Sequence, residues 1–168
     1  RWMLAHSDNT LADQYCRFAA RAAGAPATYE GATSTVASTL SAAGVPTEGL
    51  FLDDCSGLSS NDRISANTLV GVLKASYSGQ GTSADTMRLL PWAGLVGTLS
   101  KRMTEEPAVG NVQAKTGALA EVSSLSGSVI TRGGRVLLVS IGHDRVTAGA
   151  LATRGRLDAF EEGLAGLN

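Results

Sequence analysis

Lys115-Thr116-Gly117 is the sharpest chemical feature of the chain. It falls where a strand is expected to end, and Ala118-Leu119 follow it. A lysine, a hydroxyl and a residue without a side chain, in that order, suit a substrate edge. The glycine lets a ligand backbone approach closely. The strand can pair with an extended peptide by sheet addition. The threonine hydroxyl and the lysine charge can hold a carboxylate. The bland alternative is an ordinary strand end of the same composition. Ser7-Asp8-Asn9 is the second polar tripeptide, about a hundred residues earlier. Read alone it is a helix N-cap, a position that Ser, Asp and Asn all favour.

Other chemistry has less support. There is no Gly-x-Ser-x-Gly elbow. Ser56, His143 and Asp144 contain the residue types of a triad, but their spacing reads as a turn serine and a loop histidine. His6 reads as a helix-end residue. Glu105-Glu106 and Glu161-Glu162 are expected on solvated faces, and no carboxylate pair is placed for glycosidase work. Cys16 and Cys55 are the only thiols, with no CxxC or CxxH grouping. No metal site and no cofactor are expected.

The elements that must position these residues follow from periodicity. Arg1 to Ala5 read as a helix end. Leu11, Tyr15, Phe18, Ala19 and Ala22 recur at helical spacing up to Gly24 and Pro26. A second helix is expected over about Tyr29 to Ala43, with Val36 and Leu40 inward, stopped by Gly44 and Pro46. Leu50-Phe51-Leu52 reads as a short strand, and 53–62 as a loop. Ser65 caps a helix carrying Leu69, Val72, Leu73 and Tyr77. A short helix is expected over Ala84 to Leu90, cut by Pro91, with another turn over Thr98 to Met103. Asn111 to Lys115, Ser123 to Thr131 and Arg135 to Ile141 read as strands, the last two joined by a turn at Arg132-Gly133-Gly134. A helix over Thr147 to Leu164 closes the chain, with Leu151, Phe160 and Leu164 on one side. Helices, an antiparallel meander and a helix make an α+β layer pattern.

Composition agrees with one folded unit. The chain has 168 residues, 43% hydrophobic and 17% charged, which excludes a disordered tail. The net charge of −1 lacks the basic excess of a nucleic-acid binder. The longest apolar run, Val136 to Ile141, is strand-sized and too short to span a membrane. The chain opens at Arg1 without a signal peptide, so it is read as processed or as a piece of something longer.

Four ordered segments resemble low-molecular-mass class C penicillin-binding proteins, the D-alanyl-D-alanine carboxypeptidase/endopeptidases of the penicillin-binding protein 4 type. Arg1-Trp2-Met3-Leu4 leading to Ser7-Asp8-Asn9 is similar to that family's helix into its Ser-Asp-Asn motif. Asp54-Cys55-Ser56-Gly57-Leu58-Ser59 resembles its Asp-Gly-Ser-Gly-Leu-Ser loop. Leu90-Pro91-Trp92-Ala93-Gly94 through Gly97-Thr98-Leu99 matches a third segment, and Ala114-Lys115-Thr116-Gly117 with Leu119, Leu125, Ser126 and Gly127 a fourth. Ser-x-x-Lys, Ser-Asp-Asn and Lys-Thr-Gly together make the active-site set of penicillin-binding enzymes.

The resemblance implies the C-terminal part of a penicillin-binding/β-lactamase-like transpeptidase fold over 1–168. It implies an extracytoplasmic, serine-type D-Ala-D-Ala carboxypeptidase acting on peptidoglycan stem peptides and acylated by β-lactams. By carry-over, Ser7 relays a proton between nucleophile and leaving amine. Asn9 holds the substrate amide carbonyl. Lys115 supplies positive charge, Thr116 donates to the terminal carboxylate, and Gly117 permits close approach. The Ala118 N–H forms half of an oxyanion hole. The family also places Cys55 near Cys16, and a compartment where disulfides persist makes a Cys16–Cys55 bond an expectation.

Three departures stand out. The residues three before the only lysines, Lys74, Lys101 and Lys115, are Gly71, Thr98 and Val112, so the chain has no Ser-x-x-Lys. Ala118 stands where the family has Ser or Thr, and Cys55 where it has Gly. The nucleophile is therefore expected from an N-terminal portion of the same protein, on this or a separate chain. The alternative is a penicillin-binding-like module that has lost catalysis and binds peptide or wall material. A β-lactamase is a third reading, but no deacylating base is found for it. The sheet is expected to present Lys115 on an edge facing a helical cluster, with apolar edges left exposed.

Overall fold

The computed structural model describes residues 1–79, 86–147 and 149–168, without the side chains of Ala150 and Leu151. Among the described residues, five α-helices and three strands follow the order expected from periodicity. Helix α1 spans Trp2–His6 and stops at Ser7, which adopts the left-handed conformation at φ 56°. Asp8 then caps α2, Asn9–Ala22, accepting a hydrogen bond from Leu11 N. Thr28 caps α3, Tyr29–Ala42, and Ser65 caps α4, Ala66–Tyr77. The strands are β1 (Val112–Leu119), β2 (Val122–Ile130) and β3 (Val136–His143). Helix α5, Ala150–Ala165, closes the chain. Leu50-Phe51-Leu52 contributes only an isolated bridge, Phe51 to Arg63. Of the helix expected over Ala84 to Leu90, 84 and 85 lie outside the described residues, and Met87–Leu89 forms a single 3₁₀ turn. A second 3₁₀ turn spans Gly97–Leu99.

The sheet is antiparallel in the order β1-β2-β3. Lys115 lies opposite Ser126, and Ser126 opposite Ser140, so these three share one face. The register puts Val112, Ala114, Leu125, Val129, Leu137, Val139 and Ile141 on the other face. That face meets Leu99, Met103 and Ala108, and Leu164 and Ala165 of α5, in the main core. Gly127 is required there: a Cβ would sit 1.9 Å from the Gln113 carbonyl oxygen. On the Lys115 face, Leu138 packs with Leu4, Leu73, Met87 and Leu90. The sheet is thus sandwiched between a C-terminal helix and the N-terminal helical cluster.

Both sheet edges end in strands of the meander. The start of β1 is covered by the 91–93 segment: Ala93 N donates to Val112 O at 2.9 Å, and Ala114 N to Pro91 O at 3.0 Å. Among the described residues, nothing pairs with the outer edge of β3.

In three helices the apolar spacing read from the sequence does not coincide with the buried face. In α2, Tyr15 and Phe18 are exposed at 55% and 63%. The buried positions are Cys16 and Ala20, which meet Ala32 and Val36 of α3. Small residues let the two helix backbones approach, and the bulkier ones are turned outward. In α4, Leu73 is buried but Tyr77 is exposed. In α5, Phe160 is exposed, and the buried stripe runs Thr153, Leu157, Glu161 and Ala165. Glu161 was expected on a solvated face and is fully buried instead, because it falls one helical turn from Leu157. The side chain of Leu151 lies outside the described residues.

Candidate active site

Ser7 and Lys115, 108 positions apart, meet across the gap between the helical cluster and the sheet. Lys115 Nζ donates to Ser7 Oγ at 2.8 Å and to the Thr116 carbonyl at 2.7 Å. Ser7 reaches this place through its backbone. A non-glycine residue at positive φ is uncommon and strained, and such residues gather at functional sites. The strain is supported on both sides: Asp8 N donates to Met3 O at 3.0 Å, and the Asp8 side chain opens α2. The tripeptide therefore divides its work. Asp8 caps, Ser7 faces the sheet, and Asn9 begins α2 half-buried.

Lys115 sits on the helical-cluster face of β1, where burial lowers its pKa from the usual lysine value. No acidic group pairs with it among the described residues. Lowering the pKa makes the neutral amine more accessible, which suits a group that exchanges protons with a hydroxyl.

The β1 edge beyond Lys115 alternates as an antiparallel strand must. Ala114 N and Val112 O point away from β2, so Thr116 and Ala118 two and four residues on do the same. Lys115 Nζ takes the Thr116 carbonyl, consistent with that direction. Gly117 lies between them, and a Cβ there would come 2.3 Å from Ser124 Oγ. Ala118 is exposed at the open end of the edge.

The Thr116 hydroxyl has a partner that sequence reasoning missed. Its Oγ1 donates to Thr98 Oγ1 at 3.1 Å. Thr98 belongs to the 3₁₀ turn, inside the Gly97-Thr98-Leu99 segment that carried part of the family resemblance. The segment was visible in the sequence; its contact was not.

The remaining candidates fall outside this cluster. Cys16 and Cys55 are joined in a disulfide, their Cα atoms 6.3 Å apart. Cys55 N also donates to Asp13 of α2 at 3.1 Å, so the 53–62 loop is fastened to the helix that follows Ser7. Within the loop, burial raises the Asp54 pKa, but hydrogen bonds from Gly57, Ser59 and Ser56 outweigh it and hold the carboxyl below its ordinary value. Ser56 is thereby a turn serine. His6 stacks on Trp2 and hydrogen-bonds the Trp2 carbonyl at the end of α1. No cluster of metal-ligating side chains occurs among the described residues.

Comparison with known proteins finds similarity over nearly the whole chain. The model of the D-Ala-D-Ala carboxypeptidase 3 (S13) family matches residues 1–164. Carboxypeptidase DacB of Mycolicibacterium smegmatis is 39% identical over 84% of this chain and 32% of its own length. Carboxypeptidase Rv3627c of Mycobacterium tuberculosis is 38% identical over 80% of this chain and 30% of its own. The solved structure of penicillin binding protein 4 (dacB) from Haemophilus influenzae, complexed with a β-lactam, superposes with a TM-score of 0.85 at 31% identity. It covers 97% of this chain and 39% of that one. The chain thus spans about a third of the length of the curated relatives it matches.

Proposed function

Because the chain belongs to the D-Ala-D-Ala carboxypeptidase 3 (S13) family, we propose that it forms the Ser-Asp-Asn and Lys-Thr-Gly side of a serine-type D-Ala-D-Ala carboxypeptidase site. The observation that carries the reading is Lys115 Nζ on Ser7 Oγ at 2.8 Å. In the proposed reaction, a serine hydroxyl outside these residues attacks the carbonyl of the penultimate D-alanine. The peptide C–N bond breaks, and an acyl-serine ester forms. The nucleophile's proton passes through Ser7 to the departing amine of the terminal D-alanine, and water later cleaves the ester. Lys115 holds Ser7 in place and balances the charge that moves through it. Asn9 holds the substrate amide, Thr116 its terminal carboxylate, and the Ala118 N–H the developing oxyanion. Ala118 brings no hydroxyl to the carboxylate, which places more of that contact on Thr116.

The substrate is a peptidoglycan stem peptide ending in D-Ala-D-Ala, and the site is extracytoplasmic. No described helix is long and apolar enough to cross a membrane. The nucleophile and its lysine come from an N-terminal portion of the same protein, on this or a separate chain, because the 168 residues hold no Ser-x-x-Lys.

The test is acylation of the full-length protein by a fluorescent penicillin, with peptide mapping of the label and an assay of D-alanine release. The label is expected on a serine outside these residues, with D-alanine released from a D-Ala-D-Ala peptide. Stable labelling of a serine within the 168 residues would overturn the assigned roles. Peptide binding without labelling or D-alanine release would favour the non-catalytic module that the missing Ser-x-x-Lys and Ala118 also fit.

A further inference from the structure

We propose that Thr98 is a positioning residue that sets the hydroxyl of Thr116 for a carboxylate ligand. The inference rests on the carboxypeptidase reading above, which gives Thr116 that ligand. Thr116 Oγ1 donates to Thr98 Oγ1 at 3.1 Å, so the Thr116 proton is turned away from the open edge of β1. A hydroxyl is one donor and two acceptor sites, and its proton rotates freely. Among the described residues, the Thr98 hydroxyl has no other partner. As the side chains stand, only Thr116 donates in this pair, and a turn of the Thr98 side chain would let it donate in return. When a carboxylate arrives, Thr98 donates to Thr116 Oγ1, and the Thr116 proton swings to the anion. Two hydroxyls in series also polarise one another, which strengthens the outer bond.

This relay needs the Thr98 backbone to be held still, and the fold does so from both sides. Leu99 is fully buried in the main core. Gly97 is pressed against α1: a Cβ there would sit 2.1 Å from the Ala5 carbonyl oxygen. The 3₁₀ turn touches both α1 and β1. Gly97 and Leu99 thus fix Thr98 relative to the turn that presents Ser7 and to the strand that presents Lys115 and Thr116.

The test is the second-order acylation rate of the full-length protein with two probes, a β-lactam bearing its free carboxylate and the methyl ester of the same compound. The wild-type protein, Thr98→Val and Thr98→Ser are compared. Thr98→Val keeps the shape and removes the hydroxyl; Thr98→Ser keeps the hydroxyl. The expected result is a roughly tenfold slower reaction of Thr98→Val with the carboxylate probe, near-wild-type reaction with the ester, and recovery in Thr98→Ser. Equal slowing with both probes means a purely structural role and overturns the proposal. So does no slowing with either. If Thr98→Val does not fold, Thr98→Ala is read by the same ratio, which cancels any loss of folded protein. A wild-type protein acylated by neither probe overturns the carboxypeptidase reading itself, and this proposal with it.

Discussion

Glu161 is the most consequential single residue outside the site. Both carboxyl oxygens are buried with no hydrogen-bond partner among the described residues. Burial, and next the Asp158 charge, raise its pKa from 4.5 to about 8, against a smaller opposing effect of Arg102. Arg102 itself is held by Asp158 in a forked ion pair. The sign follows from linkage. Below the ordinary carboxyl value Glu161 is protonated in both folded and unfolded chains. Between that value and about 8 the folded protein keeps the proton that the unfolded chain has lost, so stability falls as pH rises. Glu161→Gln is expected to leave stability nearly unchanged at about pH 5 and to raise it by a few kcal/mol at about pH 9. Denaturant midpoints at the two pH values measure this; a constant difference would contradict it. Within the site, Ser7→Ala and Lys115→Ala are each expected to slow acylation by about 100-fold or more with little change in melting temperature. The tripeptides holding Ser7 and Lys115 were legible because few residue types can do their chemistry. Glu161 was not, because a buried carboxylate looks like any surface glutamate in a pattern of polarity.

At the scale of elements, the 3₁₀ turn at Gly97–Leu99 is a narrow fit. Gly97 has φ +62° and no room for a side chain, whereas Gly44 has φ +72° and open space around it. Gly97→Ala is expected to cost more than about 3 kcal/mol, and Gly44→Ala only about 1 kcal/mol. Thermal unfolding of the two variants separates a steric clash from backbone strain alone. The Cys16–Cys55 bond closes a separation of 39 residues. Chain-entropy arguments put its removal by Cys16→Ser with Cys55→Ser at about 4 kcal/mol, read as a lower denaturant midpoint. The meander was legible because alternation, a Gly-Gly turn and β-branched residues all agree on it. The faces of α2 and α5 were misread for a shared reason. Apolar spacing favours the bulkiest residues, here Tyr15, Phe18 and Phe160, while the packing chose small or mixed stripes. Only tertiary neighbours decide between two faces of similar hydrophobicity.

At the scale of the whole molecule, β3 is exposed along its outer edge and Val136 is 40% accessible. An unpaired flat edge invites another strand. The 168 residues prepared as a separate polypeptide are expected to self-associate, with Val136→Lys shifting the weight-average mass toward the monomer in light scattering. A monomer at every concentration would show that the edge is inert. The disulfide has a different reach. Helix α3 lies wholly between Cys16 and Cys55 and packs on α2. A protease that cuts once anywhere in 17–54 would leave two polypeptides still covalently joined. Such a nicked protein would run as one species until reductant is added and as two afterwards, and until that point the Ser7 turn would stay covalently tied to the sheet that carries Lys115.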